Sequence, residues 1–227
     1  MREKKLYITA IIGAIICFIG DNLLGHYVPA DDFGNKLVGI DFSYEWANVN
    51  PNYFIAAGIC GVVSLLLMSF GFYGIYRRIA AGNKAMGKTF MLAVYLFVSV
   101  GILYHNVFAV AAYVYNRLTA AGFLNAKDFS LDVFNKFILV GAPAAVGFVI
   151  MSALMFIAAL KGYTYSHKWM CILNPLIIMG VCVGLAKILP RTAFINGVFS
   201  LGQQSLGFLL IFTTLLFTHI SVKGLES

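Results

Sequence analysis

The stretch Tyr53–Lys88, YFIAAGICGVVSLLLMSFGFYGIYRRIAAGNKAMGK, decides which solvent this chain folds in. From Tyr53 to Tyr76 it carries no Asp, Glu, Lys or Arg. As a helix rising ~1.5 Å per residue that run is about 36 Å long. It therefore exceeds the ~30 Å hydrocarbon core of a bilayer. Arg77, Arg78, Lys84 and Lys88 follow at once. Cations packed against the end of an apolar run mark a membrane boundary and the side on which it lies.

The rest of the chain agrees. Of 227 residues 61% are hydrophobic and 11% charged, with mean hydropathy +0.87. A soluble domain carries roughly 25% charged residues to cover its surface. Lipid is the solvent for most of this chain, and membrane lipids are its first partners. The net charge of +7 does not point to nucleic acid, because the cations sit between apolar runs and form no basic stripe interleaved with aromatics.

Six segments are long and apolar enough to be read as spans: Leu6–Leu24, Tyr53–Tyr76, Thr89–Ala112, Phe137–Leu160, Trp169–Leu189 and Ile195–Ile220. The expected fold is all-α, one integral membrane domain over residues 1–227, a multi-pass bundle in the plasma or inner membrane. The basic start and apolar core of the N-terminus resemble a signal peptide. Asp21, Asn22 and His26 interrupt the approach to the cleavage-like Val28–Ala30, so a retained first helix is expected. With the N-terminus in the cytoplasm, Arg2, Lys4, Lys5, Arg77, Arg78, Lys84, Lys88, Lys161, Lys168 and Lys223 gather inside. Lys36, Arg117, Lys127, Lys136, Lys187 and Arg191 fall outside. Ten against six places both termini in the cytoplasm. Tyr44, Trp46 and Trp169 fit aromatic belts at the interfaces, and a short interfacial helix is expected around Ser130–Phe137.

Membrane helices pack through small residues. Such stripes run Ala10, Ala14, Cys17, Asp21 on the first helix and Gly101, His105, Ala109, Ala112, Asn116 on the third. The last helix offers Asn196, Ser200, Gln203 and Gly207. Polar residues on those stripes should face the bundle interior. By helical rise Asp21 lies roughly 22 Å and His105 roughly 24 Å above the inner face, with Gln203 roughly 10–12 Å below the outer one. All three share one layer in the outer third of the membrane, and Asn22, Glu45, Asn106 and Asn196 reach it or its rim.

Charged groups inside a span are costly and mark functional sites by default. Asp21 and His105 are therefore the candidate catalytic pair for proton transfer. Desolvation favours the neutral acid, whereas a neighbouring imidazolium favours the carboxylate. Asn22, Glu45, Asn106, Asn196 and Gln203 are candidate ligand-binding residues around an outward-facing pocket for a small or lipid-like molecule. A proton-coupled transporter and a non-catalytic scaffold, in which these residues only fix helix packing, are the competing readings. Asn174–Pro175 reads as a local kink.

No metal site and no cofactor are expected. A catalytic metal needs about three protein ligands, and the threading separates His26 and His105 from His167 and His219. No nucleophile elbow, phosphate loop or dinucleotide fingerprint is present. Cys17, Cys60, Cys171 and Cys182 all lie in apolar runs and read as small packing residues. "GDNLL" closing the first helix, "YHN" in the third and "NP" in the fifth resemble small bacterial integral membrane proteins that form an uncharacterised family. That resemblance implies an inner-membrane location and no particular reaction.

Overall fold

A computed structural model describes residues 2–31, 34–35, 40–164 and 168–218. Asp32, Lys36, His167, His219, Ile220 and Lys223 lie outside the described residues. The elements are α1 (Arg2–Gly25), β1 (Gly34–Asn35), β2 (Ile40–Asp41), α2 (Asn52–Gly82), α3 (Lys84–Ala120), α4 (Ala126–Phe137), α5 (Ala142–Leu160), α6 (Pro175–Ile188), α7 (Ala193–Ile195) and α8 (Gln203–Phe217). Single 3₁₀ turns occupy Tyr44–Asn48, Ile138–Gly141 and Lys168–Leu173, and a π-turn occupies Asn196–Leu201. The two strands form only a short antiparallel pairing, Gly34 opposite Asp41.

Among the described residues, four helical stretches are long and apolar enough to cross a membrane: Glu3–Gly25, Asn52–Gly82, Lys84–Ala120 and Ala126–Leu160. Ala193–Phe217 makes a fifth when its two bent pieces count as one. Six uninterrupted spans are therefore not what the chain builds. The expected span Trp169–Leu189 is broken at Asn174. Asn174 accepts from the Leu176 N–H through Oδ1 and donates to the Ser152 carbonyl through Nδ2. It caps a new helix start rather than kinking a continuous one, with Pro175 in the first turn, where no donor is lost. The resulting α6 has 14 residues, about 21 Å of helix.

The last expected span, Ile195–Ile220, also breaks. Its two pieces meet at 61°, and the corner is Gly202, whose N–H bonds the Gly197 carbonyl across the π-turn. A Cβ at Gly202 would lie 2.8 Å from that same oxygen and 2.8 Å from the Phe18 ring. Only glycine fits there.

Elsewhere helices outrun the apolar runs. The turn between α2 and α3 shrinks to Asn83, whose Oδ1 caps α3 at the Met86 N–H. Polar residues extend α2 and α3 past the apolar runs because a helix satisfies its own backbone bonds in any solvent. The segment expected as a separate interfacial helix, α4, joins α5 through one 3₁₀ turn into a 35-residue stretch. Pro143 opens α5 just beyond that turn.

Neighbouring helices pack in the order α5, α3, α2, α1, α8, α6. Phe208 of α8 is the hub of the core, with ring centroids 5.1 Å from Phe72, 5.5 Å from Phe97 and 6.0 Å from Phe148. At one end of the bundle Arg78, 3% exposed, bonds Glu3 at 2.7 Å and the Thr164 carbonyl, and lies over the Tyr7 ring. At the other end Arg191 pairs with Asp31 and Lys127 donates to the Tyr44 hydroxyl. The chain from Thr164 to Arg191 thus still passes from one end to the other, in pieces.

Trp46, expected in an aromatic belt, is buried inside the protein rather than exposed on its surface. It is 1% exposed, its indole N–H donates to the Leu24 carbonyl, and it packs with Phe42, Phe54 and Phe108 over the end of α1. A buried indole N–H needs such a partner. Tyr44 and Trp169 are exposed.

Candidate functional site

Asp21 lies in the last turn of α1, where the helix dipole already presents negative charge. A carboxylate at that position needs donors from elsewhere. Three side chains supply them. His105 of α3 places Nε2 3.0 Å from Asp21 Oδ1. The Ser205 hydroxyl of α8 donates to Oδ2 at 2.8 Å. The Cys17 thiol, one turn back on α1, lies 3.9 Å from the same oxygen. Asp21 is 9% exposed, and the His105 and Asp21 side chains retain 14% and 12% exposure. The group is nearly enclosed but still reachable.

Each helix delivers its residue for a local reason. On α2, Gly61 lets α3 approach: a Cβ there would lie 2.5 Å from His105 Cγ and 2.6 Å from Nδ1. The imidazole lies flat against helix backbone, and its Nδ1 is buried with no hydrogen-bond partner. With Asp21 ionised, the ring proton that forms the contact is on Nε2. The corner at Gly202 swings α8 inward, and Ser205 shares its single proton between Asp21 and the Gly202 carbonyl.

The order of contacts matters for chemistry. Ser205 bonds the carboxylate and not the imidazole, so the base beside its hydroxyl is Asp21 rather than His105. A Ser–His–Asp triad has the histidine between serine and aspartate, and this arrangement does not form one. The cluster can hold a proton between Asp21 and His105, and it can donate or accept bonds to a guest.

The remaining expected residues separate from this centre. Asn196 is 8% exposed and donates to the Gly25 and Tyr27 carbonyls, capping the end of α1 together with Trp46. Asn22 donates to its own helix at the Phe18 carbonyl, and its Oδ1 sits against Gly197. Gln203 donates to Ser200 rather than across to another helix, and its Oε1 is buried without a partner. Glu45 is exposed and accepts the Val28 N–H at 3.2 Å in the loop above. Nearby Tyr27 has its pKa pushed up by burial, with Tyr53 and then Glu45 adding to the effect. Asn106, next to His105, donates to Ile102 and lines a groove of about 320 Å³ between α2 and α3, with Phe54, Gly58, Ile59 and Tyr113.

The sequence pattern does not single out Ser205, and it marks Cys17 as a packing residue only. Cys17 carries a signal, one turn before Asp21 on the same stripe. Ser205 carries none without the bend at Gly202.

Substituting Gly61→Ala should drive the His105 ring away from Asp21. Side-chain NMR of labelled histidine should then show a single shifted His105 resonance, with His26 unmoved. Gly180→Ala, where a Cβ meets nothing within 4 Å, should leave the spectrum unchanged.

No curated protein and no solved structure matches the chain. A family model does, over residues 1–222, and it covers every element of the bundle and all four side chains of the cluster. On that match the chain belongs to the family of unknown function DUF6796.

Proposed function

We propose that this is a multi-pass protein of the plasma or inner membrane whose working centre is the Asp21–His105–Ser205 cluster, a polar site that binds a small or lipid-like molecule. The 3.0 Å contact between Asp21 and His105 carries this reading. Two ionisable side chains from different helices meet on the faces that pack, at a depth where each is expensive to hold. Packing alone does not require ionisable groups, since small residues and neutral hydrogen bonds close membrane bundles. The 14% and 12% exposure of the pair leaves a path to the site. Where the bound molecule reacts, Asp21 and His105 are the groups that would move a proton on it. The groove beside Asn106 lies next to the cluster along α3 and would accommodate an apolar tail.

The site opens to the outer side and both termini lie in the cytoplasm. Support comes from the excess of Lys and Arg at one end and from the pairing of Glu3, Arg78 and Thr164 at that same end. A fluorescent protein fused after Ser227 should light up in cells. A dark but membrane-inserted fusion, with a periplasm-active reporter at the same position positive, would reverse the orientation.

Ligand binding has its own test. The protein purified in mild detergent should carry a discrete small molecule or lipid, read by native mass spectrometry. Asp21→Asn and His105→Gln should each lower its occupancy at least tenfold, while Glu45→Gln should not. Equal occupancy in all variants, or none in the wild type, would leave the cluster a packing device and overturn the proposal.

A further inference from the structure

A binding centre at Asp21 and His105 leaves the class of ligand open, and the cluster has one member with no part in it, the Cys17 thiol. Resting on that function, we propose that Cys17, Asp21 and His105 together form a site for a divalent metal ion of the zinc class, with one coordination position left for the small molecule. Their ligand atoms, Sγ, a carboxylate oxygen and a ring nitrogen, all lie within 4.8 Å of one another. Around a tetrahedral ion bound at ~2.0–2.3 Å, ligand atoms lie about 3.3–3.8 Å apart. Nε2 lies 3.0 Å from Oδ1 and Sγ 3.9 Å from the other oxygen, Oδ2, so with all three atoms within 4.8 Å closing on an ion needs shifts of up to about 1 Å.

Charge balance favours the ion. A thiolate and a carboxylate carry two negative charges, and a divalent cation makes the centre neutral in a medium where net charge is costly. Without an ion, a buried carboxylate at the negative end of α1 rests on three side-chain donors, one of them a weak thiol at long range. Sulfur with imidazole selects borderline metals such as Zn²⁺ or Co²⁺ over Mg²⁺ and Ca²⁺.

Binding is written simply. The Cys17 thiol loses its proton to solvent and forms the metal–sulfur bond. Asp21 gives an oxygen, and His105 gives the Nε2 lone pair with its ring proton on Nδ1. That tautomer gives up the Nε2–H···Oδ1 hydrogen bond, which the metal bonds to both atoms replace, and places the proton on Nδ1, which has no partner in this structure. Ser205 still holds Oδ2 and orients the carboxylate, as an outer hydrogen bond does at metal sites. Three protein ligands and one open position are the arrangement of a working zinc centre rather than a structural one.

Cobalt alone is the probe. Chelator-stripped full-length protein in detergent should take up one Co²⁺ per chain by elemental analysis, with an intense near-ultraviolet band from thiolate-to-cobalt charge transfer. Cys17→Ser should abolish that band, and Asp21→Asn should weaken binding at least tenfold, both eluting as the wild type does. Cys17→Ala serves if the serine disturbs folding, and His26→Ala should change nothing. Uptake no greater than that of the Cys17→Ser/Asp21→Asn double variant, or uptake without the sulfur band, overturns the metal site. An Asp21-dependent bound molecule in a protein that takes no cobalt would overturn the metal alone and leave the binding centre standing.

Discussion

A carboxylate nearly enclosed in an apolar helix bundle has to meet most of its partners there. Asp21 has its partners drawn from three helices: Cys17 on α1, His105 on α3 and Ser205 on α8. The arrangement of the bundle follows from that requirement. α3 reaches Asp21 past α2, and it can do so because Gly61 offers no side chain where the imidazole lies. α8 reaches it from the other flank, and it can do so because the chain turns at Gly202. Replacing any of these small residues would move a donor, and an unpartnered carboxylate in a low-dielectric core costs far more than any single bond returns.

The hydrogen bonding beyond the centre has the same logic. The end of α1 exposes carbonyls within the bundle, and these are met by the Trp46 indole and the Asn196 amide. Asn116 then gives its amide protons to the carbonyls of Trp46, Ala47 and Val49, which secures the turn that carries Trp46. At the opposite end Arg78 links α1, α2 and the segment after α5 through Glu3 and Thr164. Between these two polar layers lies the phenylalanine core around Phe208. It supplies dispersion and close packing, and it leaves direction to the polar groups.

Much of this is legible in the amino-acid sequence. The run Tyr53–Lys88 is long, uncharged and abruptly ended, so its membrane character and its basic boundary can be read directly. Helical rise is constant, so the heights of Asp21 and His105 can be compared on separate helices, and the structure brings the two within 3.0 Å. The breaks are not legible. Reading Ile195–Ile220 as one rod places Gln203 at the height of the pair, whereas the π-turn and the corner at Gly202 present Ser205 instead and leave Gln203 bonded to its own turn. An amphipathic ring such as Trp46 usually sits at the interface, but the open carbonyl of Leu24 within the bundle is a better acceptor. Glu45 is near the right loop, yet loop geometry has no periodicity from which its direction could be taken.

The central claim is that Asp21 and His105 work as one unit. The most direct measurement is a double-mutant cycle on unfolding in mixed micelles, with Asp21→Asn, His105→Gln and the pair together. A coupling of about 1–3 kcal/mol is predicted, because either single change already breaks the contact. Additive losses would contradict the account.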